Sequence, residues 1–207
     1  MVAYVFDNLL TQGEKQGQLP NRTMQSRNWF RAQASKVAMG PNALMAQDRS
    51  AMVSVPMIGQ MYLFSYEPKT KEKLPYYDRY PLVIPFDSVR LGGRAAGSSS
   101  SQGFMGLNLH YLPLRLRARL MDALYNVISD ENYDERTHLQ VSYKLLSSVT
   151  RYRFYKPCVK QYLFSHVRTR FFRIDPASWD IALFMPLERF VGASASAVHR
   201  DSYAKVQ

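Results

Sequence analysis

The hydrophobic period of this chain shifts along its length, and that shift limits the fold more than any other feature. Met61-Tyr62-Leu63-Phe64-Ser65-Tyr66, Pro81-Leu82-Val83-Ile84-Pro85-Phe86 and residues 103–111 are short, aromatic or β-branched runs bounded by Pro, Gly and Asn, as strands are. Glu67-Pro68-Lys69, followed by Lys71 and Lys73, reads as the basic tip of a hairpin connection. Pro85 has no amide N–H, which assigns its run to a sheet edge or a strand end. From Pro113 the period becomes helical. Leu112, Leu116, Leu120, Leu124 and Ile128 form a stripe, with Arg115, Arg119 and Asp122 on the opposite face. Residues 130–134 close that helix and cap a second one, in which Leu139, Tyr143, Leu146 and Val149 repeat at helical spacing. Pro157 suits the first turn of a third, short helix carrying Cys158, Tyr162 and Leu163. Residues 167–174 and 179–185 then read as two more strands around an Asp175-Pro176 turn. The sum is α+β: a small, mainly antiparallel sheet or partly open barrel with a helical insertion. The pattern does not distinguish barrel from open sheet.

The flanks are different in kind. Residues 1–57 are polar, rich in Gln, Asn, Ser and Met, with a helix expected over 26–38, capped by Ser26 and stopped by Gly40-Pro41. Its apolar stripe of Trp29, Phe30, Ala34 and Val37 is too thin to carry a core alone. The segment therefore reads as an N-terminal arm, either docked on a partner through Trp29 and Phe30 or frayed. Residues 58–191 form the α+β core domain, interrupted by a Gly/Ser loop at 92–103 whose composition cannot pack. Residues 192–207 read as a polar C-terminal tail.

Charge is the first functional clue. The 207 residues carry 27 Lys and Arg against 16 Asp and Glu, a net +11, and such a balance points to a polyanionic partner. Most of the excess is local. Between residues 144 and 174 lie Lys144, Arg151, Arg153, Lys156, Lys160, Arg168, Arg170 and Arg173, eight cations with no acid among them. Rings are interleaved, and both Arg151-Tyr-Arg-Phe-Tyr-Lys156 and Arg168-Thr-Arg-Phe-Phe-Arg173 alternate basic with aromatic. On an extended backbone that puts cations on one face and rings on the other. The cations suit phosphate contact, with counterion release and bidentate arginine grips. The rings suit either a core or stacking on unpaired bases at a duplex end.

Several chemistries are excluded. An apolar fraction of 46% is enough for a real core, yet no apolar run approaches the ~20 residues of a membrane helix, so no membrane contact is expected. The N-terminal Met-Val-Ala-Tyr-Val-Phe-Asp lacks the basic region of a secretory signal. The single cysteine, Cys158, rules out an internal disulfide framework and suits a reducing cytosol. His110, His138, His166 and His199 have no metal-ligand spacing, and no phosphate-cradling glycine motif occurs. Glu67-x-Lys69 with Asp78 or Asp87 superficially matches a metal-dependent nuclease element, but the spacing is not diagnostic. No catalytic residue, metal or cofactor is expected.

The blocks at 61–69, 74–83, 106–113, 154–160 and 179–186 resemble, in that order, a virion protein of large contractile-tailed bacteriophages, the DNA end protector or head completion protein family. The resemblance spans about residues 61–190. It implies a non-enzymatic protein bound at the termini of packaged linear double-stranded DNA, shielding them from exonuclease and helping to finish the head. It also implies other virion proteins as partners, a place in a symmetric assembly, and location in the virion or, during assembly, the host cytoplasm. The loop at 92–103 is longer than the family leads one to expect. The competing class is a purely structural neck, tail or baseplate protein whose arms order on neighbouring subunits.

Overall fold

Strict alternation along the strands divides the interior in two. The computed structural model describes residues 4–20, 23–89, 102–128 and 153–204. Its strands are β1 (Met52–Val53), β2 (Met61–Leu63), β3 (Tyr77–Asp78), β4 (Leu82–Val89), β5 (Gly103–Asn108), β6 (Val159–Leu163), β7 (Phe171–Ile174) and β8 (Phe190–Val191). Six of them pair antiparallel in the order β1-β7-β2-β4-β5-β6, and β3 with β8 makes a separate ribbon. The large sheet stays open, so it is not a barrel. Met61, Leu63, Leu82, Ile84, Leu107, Phe172 and Ile174 point to the helical side. Tyr62, Phe64, Val83, Phe104, Tyr162 and Phe171 point the other way and build a second, aromatic cluster. Both faces are thus buried, which explains runs too continuously apolar for a half-solvated sheet.

The helices are α1 (Val5–Lys15), α2 (Met24–Ala34), α3 (Pro41–Gln47), α4 (Leu114–Ile128), α5 (Trp179–Phe184) and α6 (Ala195–Ala204). The expected stripe of α4 is confirmed at Leu120 and Leu124, both buried. The segment expected as an arm instead supplies three helices packed on the chain's own core. The reason lies in α2, whose buried face is Ser26, Arg27, Phe30, Arg31 and Ala34. Its apolar stripe is thin because arginines complete it. Arg31 bonds Asp180 Oδ1 at 2.6 Å and Asp122 Oδ1 at 2.7 Å, and Arg27 reaches Asp122 at 3.2 Å. The helix starts two residues before Ser26, and its cap is Thr23, whose Oγ1 accepts the Ser26 amide at 3.1 Å.

Four further expectations are corrected. Residues 179–185 are not a strand: 179–184 form α5, because a five-residue apolar run fits a buried helix equally well. Asp175-Pro176 is the start signal of that helical stretch, with Asp175 Oδ1 accepting the Ala177 amide at 2.9 Å. After Pro157 the chain does not continue as a helix. A 3-10 segment, Arg153–Cys158, leads into β6, which carries Tyr162 and Leu163 into the sheet. Pro85 lies within β4, a central strand, at a bulge between Pro85 and Asp87. It is tolerated because β2 pairs only with Leu82 and Val83, so no neighbour on that side requires an N–H at Pro85. The polar tail contains α6, anchored by the buried Val198. The helix expected over 139–149 and most of the 92–103 loop lie outside the described residues.

Candidate nucleic-acid interface

The basic segment leaves β6 at one end of the large sheet, packs Phe164 and Val167 on the aromatic cluster and enters β7, which runs parallel to β6, at the other end. After β6, residues 164–170 pass over the end of β2. Tyr66 forms a bridge with Val167, the Arg168 amide donates to Ser65 O at 2.8 Å, and the Ser65 amide donates to Thr169 Oγ1 at 2.9 Å. This crossing sets Arg168 beside the loop that follows β2. Glu67 joins the two, accepting from Lys71 Nζ at 2.5 Å and Arg168 Nη2 at 3.1 Å. Lys71, and then Arg168, hold the Glu67 carboxyl below the usual carboxylate range. The end of the sheet therefore gathers Lys69, Lys71, Lys73, Arg168 and Arg170, all exposed, against the acids Glu67 and Glu72. The lysines of this loop were legible as a basic tip; their meeting with Arg168 and Arg170 was not.

The other anticipated DNA-binding cations are dispersed. Lys144 and Arg151 lie outside the described residues, and Arg153 opens the 3-10 segment before β6. Lys156 and Arg173 are exposed and Lys160 is half-buried. Lys160 on β6 and Arg173 on β7 sit four strand spacings apart, about 19 Å, so these cations do not form one stripe. Nor do rings and cations occupy opposite faces. Phe171 and Phe172 are both buried, one in each cluster, because the sheet is covered on both sides. Trp29 is half-buried, its Nε1 donating to Gln16 Oε1 at 3.1 Å, and Phe30 is buried within the chain's own core.

Three arginines are withdrawn from any surface role. Besides Arg27 and Arg31, Arg117 is fully buried and donates to Leu112 O at 2.7 Å, Leu183 O at 3.0 Å, His110 O at 3.2 Å and Glu188 Oε1 at 2.5 Å. The Glu67-x-Lys69 element is not assembled as a nuclease site. Glu67 is occupied by cations, Asp78 is buried against His110, and Asp87 is exposed on β4. Burial pushes the Cys158 thiol up to about 12, which makes it a poor nucleophile.

Beside the basic end lies a cleft of about 510 Å³ between residues 68–77 and the β5–β6 edge, lined by Tyr66, Tyr76, Tyr77, Tyr111 and Tyr162 with Lys69 and Lys160. Sequence reasoning missed it, since Tyr76 and Tyr111 are brought together only by the ribbon and a 3-10 turn. Lys160 Nζ is 3.9 Å from the Tyr111 ring centroid, a cation–π contact. Burial holds the Tyr111 and Tyr162 hydroxyls protonated, well above the usual phenol range. Asp78 is held in the wall, with Oδ2 accepting from Asn108 Nδ2 at 3.1 Å and paired with His110 Nδ1 at 2.7 Å, while Oδ1 accepts the Tyr80 amide at 3.1 Å. The outer wall depends on Gly192, which has φ +90° and packs against Pro75. A Cβ there would lie 2.5 Å from Pro75 O. Gly192→Ala is expected to destabilise the protein by about 1–3 kcal/mol, through left-handed strain and this clash. Thermal melting and faster amide exchange at the β3–β8 pairing check it.

A family model described as Phage T4 terminal DNA protecting protein matches residues 8–205, nearly the whole chain. No curated protein and no solved structure matches.

Proposed function

This chain belongs to the family of the phage T4 terminal DNA protecting protein, and we propose that it binds the termini of a linear duplex genome as a non-enzymatic cap. In this reading it occludes the ends from end-dependent nucleases and helps to complete the head. It resides in the virion and, during assembly, in the host cytoplasm. The observation that carries the reading is the exposed group Lys69, Lys71, Lys73, Arg168 and Arg170 at one end of the sheet. Such contacts read phosphates without regard to sequence, as protection of an arbitrary terminus requires.

The test is binding to linear and covalently closed duplex of equal length across a salt series. Engagement of these five cations gives a log–log slope of about −4.5, and linear DNA is preferred and becomes resistant to an end-dependent exonuclease. No binding at low salt, or equal binding to both forms, defeats the reading. A second reading, a structural neck, tail or baseplate component, draws on Val55, Met57 and Ile58, exposed by 67%, 66% and 45% on one loop. That apolar tip suits a neighbouring virion protein. Under this reading polar substitution there stops particle assembly and leaves DNA binding intact.

A further inference from the structure

We infer that the tyrosine-lined cleft beside Lys160 receives a single unpaired nucleotide from the end of a DNA strand, an inference that rests on the DNA-end reading above. Size comes first. At about 510 Å³ the cleft lies within the range of sites that enclose one small ligand, and a duplex end cannot enter it. Its lining comes second. Tyr76 and Tyr77 are half-buried in one wall, and Tyr66, Tyr111 and Tyr162 close the base. Aromatic faces hold any base by stacking, which is tolerant of sequence.

Charge is the third argument. Lys160 carries an ammonium into the cleft over Tyr111, and Lys69 stands at its rim. Immediately outside, through Glu67, lie Lys71 and Arg168. A strand lying across this basic end thus meets cations along its phosphates and rings at its last base. The one carboxylate in the lining, Asp78, has both oxygens engaged by protein donors. It does not compete for the donors a nucleotide would use.

The chemistry also supplies what phosphate contacts lack. Duplex interiors and duplex ends present the same backbone, but only an end yields an unpaired base cheaply. A pocket for one nucleotide converts general phosphate affinity into a preference for termini.

The experiment compares three DNAs of equal length with the full chain: a dumbbell with no end, the same duplex with one blunt end, and that duplex with one unpaired terminal nucleotide, 3′ or 5′. The unpaired base is 2-aminopurine in a parallel set. The expected order is overhang over blunt by about tenfold, and blunt over dumbbell, with 2-aminopurine fluorescence quenched on binding. Tyr77→Ala and Lys160→Gln each bring the overhang-to-blunt ratio towards one. If Tyr77→Ala does not fold, Lys160→Gln and the fluorescence of the unaltered chain decide. Equal affinity for overhang and blunt ends, or an unquenched base, overturns the cleft while the end reading stands, provided both ends exceed the dumbbell. Three equal affinities, or no binding, overturn the end reading and the cleft with it.

Discussion

Reversing Lys69, Lys71, Arg168 and Arg170 to Glu together lowers affinity for linear duplex DNA by about 10³-fold near physiological salt, and the salt slope becomes shallower by about four units. Each lost phosphate contact removes one released counterion, and each new carboxylate repels the backbone it replaces. The fold should survive. All four side chains are exposed, and the pairs broken, Lys71–Glu67 and Arg168–Glu67, are surface pairs. Far-UV circular dichroism and a melting curve close to the unaltered chain establish that point, and fluorescence anisotropy with labelled duplex reads the loss. A pair reversal in the helical layer, Lys15→Glu with Lys36→Glu, separates the surface from net charge and is expected to cost less than about threefold. Binding of the quadruple variant within tenfold of the original would show that this end of the sheet does not face DNA.

Arg117→Ala is expected to cost about 3–5 kcal/mol of folding stability, lowering the melting temperature by roughly 10 °C. The side chain is fully buried on α4 and satisfies three carbonyls and one carboxylate at once, drawn from Leu112, Leu183, His110 and Glu188. Truncation takes the Arg117 donor from all four acceptors, of which His110 O keeps His199 Nε2 at 2.9 Å, and removes the main counter-charge of the largely buried Glu188. Lysine does not rescue it, because one ammonium cannot reproduce a planar fork that reaches four acceptors. Burial pushes the Glu188 carboxyl up, but Arg117 and then His110 more than offset this and leave it below its usual range. A carboxyl depressed in the folded state stabilises above its unfolded value and loses that contribution as the pH falls through its folded value. The unaltered chain therefore loses the Glu188 contribution in acid, and Arg117→Ala loses less on acidification because it starts without the pair. Urea unfolding at neutral and acidic pH checks both, and a cost under 1 kcal/mol would remove Arg117 as the tie between α4, α5 and the segment before α6.

Local patterns reached far into the fold where one residue type decided the matter. The short aromatic run around Met61–Leu63 and the spacing of Leu120 and Leu124 placed a strand and a helix correctly, the first by composition and length and the second because burial on one helix face leaves its period in the sequence. Where a face is built from paired charge, hydrophobic counting fails. Arg27 and Arg31 look like the solvent side of a free helix until Asp122 and Asp180, about 90 and 150 residues away, come to meet them. Residues 181–185 show the other limit, since a fully apolar run has no period to read.

For the site the division is similar. Composition alone determined that the chain is cationic, that its excess charge sits in residues 144–174 and that Lys69, Lys71 and Lys73 form a second basic cluster. Those are sums over local sequence, independent of folding. Tertiary structure decided which cations share a surface. Packing of α4 against α5 and the segment before α6 buries Arg117, strand order sets Lys160 about 19 Å from Arg173, and the 164–170 crossing brings Arg168 to Glu67 and Lys71. Tertiary structure also made the tyrosine cleft, whose walls come from residues nearly 100 positions apart. Proximity of that kind is a product of strand order, and strand order is set by the packing of the whole sheet rather than by any local run.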